Sequence, residues 1–182
     1  MTILTFPSVP IDGGTLDLSG SQSTFSVCQL TQNKFLAVYR QTSPDYTFAQ
    51  VVNIVDKDTV TFGNIWVVST LQNIRCLIIR KISGTTNKAV LLSVQAPDLN
   101  SKPNAFYGQI LTVDNNDDIS SGPTTSPIVM SEILPVQLST CDVNPDKMIF
   151  FYLIYNNNSS RFRTITIDTL NDTLNIGGEI TL

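Results

Sequence analysis

Two landmarks recur in fixed order three times along the chain, and a recurrence of that kind constrains the fold more than any single motif. The first is a small polar or acidic residue, a lysine and an apolar run: Asn33-Lys34-Phe35-Leu36-Ala37-Val38-Tyr39, Asn87-Lys88-Ala89-Val90-Leu91-Leu92 and Asp146-Lys147-Met148-Ile149-Phe150-Phe151. The second is a short run closed by glycine, at Thr59 to Gly63, Asp118 to Gly122 and Thr173 to Gly177. The lysines stand 54 and 59 positions apart, and each precedes its glycine by 29, 34 and 30 positions. Spacing is held while residues drift, as in diverged copies of one unit. The residue before each lysine suits a tight hairpin, which needs a short polar tip tolerant of unusual φ. The glycine suits a left-handed or kinked position where an outermost strand ends and the chain crosses to its neighbour.

The runs between these landmarks are four to eight residues long, rich in Val, Ile, Phe, Tyr and Thr and bounded by Asn, Asp, Gly, Ser and Pro, which is how strands read. Further strands are expected at Tyr46 to Val55, Ala105 to Val113 and Arg161 to Asp168, and ahead of each lysine at Phe25 to Leu30, Ile74 to Arg80 and Ile133 to Leu138. Each unit then has four. The expected organisation is one compact all-β domain: an N-terminal segment over 1–23 carrying an extra strand, Thr15 to Gly20, then antiparallel, propeller-blade-like repeats over 24–63, 64–122 and 123–182. Three units are too few for an ordinary closed propeller, so closure by association of chains is expected, for instance two chains giving six blades, since open sheet edges invite pairing. The spare strand is a candidate for exchange between subunits, and equally a simple edge strand. A β-sandwich or jelly roll with coincidental repeats is the alternative. Ile65 to Ser83 lacks Gly and Pro and sets Val67, Leu71, Ile74, Ile78 and Ile82 at helical spacing, yet its β-branched crowding and its alignment with the other units favour strands.

Hydrophobic residues make up 42% of the chain and charged residues 14%, enough apolar matter for a core under a surface of Asn, Ser, Thr and Gln. A net charge of −4 with scattered Lys and Arg argues against nucleic acid, whose phosphates require clustered cations. No run approaches the roughly 18 apolar residues of a membrane span, and Met1 to Pro10 lacks the regions of a signal peptide, so neither membrane insertion nor self-export is expected. Histidine is absent, which removes the commonest general base and metal ligand. Cys28, Cys76 and Cys141 cannot pair completely and show no C-x-x-C spacing, so they read as buried free thiols. No catalytic residue, metal or cofactor is expected. A glycosidase pair of carboxylates needs no histidine, but the S-x-D-x-G-x-x-T-W boxes and arginine cluster expected of sialidase-like propellers are missing.

In an up-and-down four-stranded unit, alternate turns share one end, so the loops between second and third strands gather with the crossings between units. That face collects Arg40 to Tyr46, Gln95 to Asn104, Asn156 to Arg161 and the crossings after Gly63 and Gly122. Tyr46, Trp66, Lys102, Tyr155 and Arg161 are the candidate ligand-binding residues there, able to stack on a sugar or hold a carboxylate; packing or solvated loops would use the same residues. Asp114 to Asp118 is dense in oxygen but lacks the spacing and bidentate Glu of a calcium loop, and reads as an acidic hairpin tip. The acceptor patterns at Asn157 and Asn171 carry weight only in a secreted chain.

Lys34 to Arg40 together with Asp58-Thr59-Val60-Thr61-Phe62-Gly63 resemble the propeller-type repeats of phage tail-fibre and other virion proteins. The likeness runs from Thr15 onward and is strongest in the first unit; the second departs from it in an insertion around Pro97 to Asn104 and a degenerate Asp118 to Gly122. The resemblance implies a non-enzymatic virion structural protein, a head decoration or a tail-fibre or adhesion component. Such a protein is assembled in the host cytoplasm, as a homo-oligomer among other virion proteins, with a host-surface glycan as a further partner. The alternative is a carbohydrate-binding lectin module with sites between repeats.

Overall fold

A computed structural model of the chain describes residues 24–42, 45–56, 59–96, 105–129, 139–153 and 160–181. Three antiparallel sheets are formed, each from strands consecutive in sequence. The first holds β1 (Phe25–Gln29), β2 (Lys34–Thr42) and β3 (Asp45–Ile54), with β4 (Val60–Phe62) and β5 (Trp66–Ser69) both pairing with β3. The second holds β6 (Ile74–Lys81), β7 (Lys88–Gln95) and β8 (Ala105–Val113), with β9 (Ile119–Ser121) and β10 (Ile128–Val129) both pairing with β8. The third holds β11 (Ser139–Asn144), β12 (Lys147–Leu153), β13 (Ser160–Asp168) and β14 (Thr173–Thr181) in that order.

The all-β class is as the sequence predicts, and the stretch with helical spacing forms β5 and β6, separated by Asn73 at φ 60°. Strands built from neighbours in sequence are not a jelly roll, whose two sheets trade strands through Greek-key connections. The expected strand at Ile133 to Leu138 and the spare strand at Thr15 to Gly20 lie outside the described residues; the described part of the third sheet begins with β11 at Ser139.

The three units share one register. Lys34 stands opposite Asn53, which stands opposite Thr61; Lys88 is opposite Thr112 and then Ser120; Lys147 is opposite Thr166 and then Asn175. Two residues beyond the last of each trio comes the glycine. The residue before each lysine works through its carbonyl, not through unusual φ: Asn33, Asn87 and Asp146 accept from the N–H of Ile54, Val113 and Ile167 at 2.8, 2.9 and 2.8 Å. That adds one rung to each ladder.

Two expectations about the glycines are corrected. Gly84 is the one positive-φ glycine among the described residues, so Gly63, Gly122 and Gly177 are not left-handed. Nor do they end their sheets. Gly63 and Gly122 donate to Val51 and Ile110 carbonyls at 3.0 and 2.9 Å, and the outer strand resumes as β5 and β10; in the third sheet it runs on through a register shift opposite Arg163 and Ile165. Units one and two therefore extend past Gly63 and Gly122.

Alternation along the strands places every second side chain on one face. Leu36, Val38, Ala49 and Val51 of the first sheet pack on Leu77, Ile79, Ala89, Leu91, Leu111 and Val113 of the second. The opposite face of the second, with Val90, Leu92, Val94, Phe106 and Ile110, packs on Met148, Phe150, Tyr152, Ile165 and Ile167 of the third. Phe106 and Phe150, both fully buried, stack at 4.4 Å and 18°. The middle sheet is thus covered on both faces, which explains its nearly unbroken apolar β7. Each such large side chain contributes about 1.5–3 kcal/mol by leaving water.

Candidate functional site

Where two sheets meet, a carboxylate from the later one is received by a set of residues on the earlier one. Lys34 Nζ pairs with Asp117 Oδ1, and Asn53 Nδ2 donates to Asp117 Oδ2 at 2.6 Å. One sheet on, Lys88 Nζ pairs with Asp172 Oδ1 at 2.6 Å, and Thr112 Oγ1 donates to Asp172 Oδ2 at 3.4 Å. Asp117 and Asp172 sit at φ 66° and 52° in the turns before β9 and β14, a left-handed conformation that Asp tolerates better than most residues. The glycine makes room for this turn: a Cβ on Gly63 would come within 3.2 Å of Asp117 Cβ, and one on Gly122 within 2.8 Å of Asp172 Cβ. Lysine, amide or hydroxyl, and glycine together make a socket for an Asp turn. Burial opposes ionisation of Asp117, but hydrogen bonds from Lys34 and Asn53 and the charge of Lys34 outweigh it, holding the carboxyl below its ordinary range.

A second clasp ties the first sheet to the crossing into the second. Buried Arg40 grips Asp45 through Nε to Oδ1 at 2.6 Å and Nη2 to Oδ2 at 2.8 Å, and Asp45 Oδ2 also accepts the Asn73 N–H at 2.8 Å. Burial pushes the Asp45 carboxyl up; the Arg40 hydrogen bond, the Asn73 N–H and the charges of Arg40 and Arg75 pull it down further.

The first strands of all three sheets, β1, β6 and β11, line one cavity of about 520 Å³. Ser26, Gln29, Arg80, Lys81, Ser139, Thr140 and Asp142 give it a polar lining, with Cys28 in its wall. Comparison of the chain with protein-family models, with curated proteins and with solved structures returned no match.

Of the residues chosen from the sequence, the three that are described, Tyr46, Trp66 and Arg161, are not gathered into one site. Tyr46 lies opposite Gln41 and tilts against Phe48 at 6.3 Å, on the face of the first sheet turned away from the second. Trp66 lies opposite Ala49 and packs on the core between first and second sheets, so it points to the other face. Arg161 does approach a carboxylate, that of Glu179 in its own sheet, at 3.7 Å. Lys102 and Tyr155 lie outside the described residues. Asp114, in the acidic turn, accepts from the N–H groups of Asn116 and Asp118 at 2.8 and 2.9 Å, which closes the turn on itself.

Around Glu179 stands the densest ionisable group of the third sheet. Tyr152 donates its hydroxyl to Glu179 Oε2, Arg163 Nε donates to the Tyr152 oxygen at 3.3 Å, and Arg163 Nη1 donates to the Gly177 carbonyl at 2.9 Å. Burial, then the hydrogen bond to Glu179, push the Tyr152 phenol up to about 12. A phenol held protonated in this way braces the outer strand and is a poor nucleophile at neutral pH. Sequence reading expected all three cysteines to be buried. Cys28 and Cys76 are half-buried, with burial pushing their thiols up to about 12 and about 11, and Cys141 on β11 is exposed.

Proposed function

We propose that the three sheets are consecutive propeller blades and that the protein is a non-catalytic structural component of a virus particle, a head decoration or a tail-fibre or adhesion protein. The observation that carries the blade reading is the cavity shared by β1, β6 and β11: on this reading the first strand of each unit is the innermost, as blades radiate from an axis. The identical register of the three units supports it. The virion role rests on the likeness of Lys34 to Arg40 and Asp58 to Gly63 to phage tail-fibre repeats. A structural role is further supported by the way Asp45 and Asp117 are spent. Both are bound by cations and hydrogen-bond donors that stabilise the charged form, whereas a general acid needs its carboxyl raised. A lectin reading is favoured by the polar lining of the cavity. Co-purification of tagged protein with virus particles, together with a glycan array, distinguishes the two. Particle association without saturable sugar binding is expected; sugar binding without association would overturn the structural reading in favour of the lectin.

A further inference from the structure

The two internal interfaces are built alike, and among the described residues the third sheet carries an unmatched half of the same construction. Lys34, Asn53 and Gly63 receive the Asp117 turn; Lys88, Thr112 and Gly122 receive the Asp172 turn. The third sheet repeats the set as Lys147, Thr166 and Gly177 at the same register. Here Lys147 and Thr166 are exposed, and no carboxylate among the described residues reaches the amine. Ile149, Phe151 and Phe162 share that face with Cys141 and with Ile180, itself 46% exposed. Cys141, opposite Ile149, occupies the place that Cys28, opposite Leu36, holds in the first sheet; Cys28 packs against the core between the first and second sheets, whereas no described sheet lies over the exposed Cys141. At the other end the first sheet turns outward Phe25, Val27, Phe62 and Val67, each 43–48% exposed. In sequence, Asp117 stands two before Ile119 and Asp172 two before Leu174; the residue two before their equivalent, Val60, is Asp58, which lies outside the described residues.

We infer that the third sheet of one copy docks on the first sheet of a second copy, bringing the socket of Lys147, Thr166 and Gly177 to the end of the stack whose sequence carries Asp58, the counterpart in sequence of Asp117 and Asp172. The inference rests on the blade reading. A second copy of this chain is the fitting occupant because the socket repeats Lys88, Thr112 and Gly122 residue type for residue type and differs from Lys34, Asn53 and Gly63 only in Thr166 for Asn53, and because each end turns apolar side chains outward on the face that elsewhere in the stack meets a neighbouring sheet. Such an interface is head-to-tail, so it closes into a ring or grows without end. Propellers have about 4 to 8 blades, and six is the one multiple of three in that range, so two copies close it.

Light scattering on the purified full chain, with alkylation of Cys141 in parallel, tests this. The expected mass is that of two chains, with Cys141 slow to react. Lys147→Asp, at an exposed position, is expected to raise the dissociation constant by roughly 30-fold or more and to make Cys141 react fast; adding Asp58→Lys in the same chain restores both. A single-chain mass for the wild type, or a dimer whose dissociation and Cys141 reactivity ignore Lys147→Asp, overturns the inference. Either result leaves the blade reading untouched, since that depends on whether the three sheets superpose.

Discussion

Gly122→Ala puts one methyl group where the fold leaves no space for it. The added carbon would lie 2.8 Å from Asp172 Cβ and closer still to the Asp172 carbonyl oxygen, whereas carbon atoms rest about 3.5–4.0 Å apart. The Asp172 turn would have to recede by roughly 1 Å, and its carboxylate is held by Lys88 at 2.6 Å, so the movement strains the clasp as well. Overpacking costs about 1–3 kcal/mol, and hydrogen bonds to a charged group contribute about 1.5–3 kcal/mol, of which a retreat of that size forfeits part. A loss of about 2–4 kcal/mol is expected, measured by urea unfolding with the slope unchanged. Gly178 is the internal control, because a Cβ there meets nothing within 4 Å and its φ is not left-handed. Gly178→Ala should be neutral or stabilise by about 0.4–1 kcal/mol through the unfolded chain. Equal stability of the two variants would refute the claim that Gly122 exists to admit the neighbouring turn.

Phe150→Ala, in the stack between second and third sheets, is expected to cost about 3–5 kcal/mol, read by the same titration. Arg40→Met leaves Asp45 without its cation and should cost about 3–5 kcal/mol, with Asp45→Asn in the Arg40→Met background recovering part of it. Because the Asp117 carboxyl is held below 3.8 in the folded protein, its contribution is complete above that value and is lost as the pH falls through the folded pKa; unfolding titrations between pH 5 and 2 should show a stability decline that Asp117→Asn makes shallower. Cys28 and Cys76, with thiols at about 12 and about 11, should resist alkylation at neutral pH in both the wild type and Lys147→Asp, in contrast to Cys141.

The lysine and glycine landmarks were legible because a hairpin and a crowded outer strand each demand a particular residue type at a fixed register. What they grip was not. Asp117 lies 83 residues from Lys34 and Asp172 lies 84 from Lys88, and no local period links a lysine to a turn in the next unit. The glycine was rightly singled out but explained by backbone freedom, when the cause is a neighbouring sheet that only the packing reveals. The continuations β5 and β10, four and two residues long, are too short to carry a period-two signal, and so the units looked complete at Gly63 and Gly122. Tyr46 and Trp66 read as neighbours on one rim; Trp66 faces Ala49, three residues along β3 from Tyr46, and strand alternation sets the two on opposite faces. Cys141 reads as buried from the general tendency of free cysteines, but the position is exposed in the third sheet and half-buried in the first, where another sheet follows.

A crystal structure of the assembled protein is the most direct measurement of the repeat and its clasp. Lys34, Lys88 and Lys147 should fall on one another when the sheets are superposed, with Lys34 and Lys88 on the Asp117 and Asp172 turns and Lys147 at the seam with a second copy. Sheets that fail to superpose, or third sheets meeting each other across a two-fold axis, would contradict it.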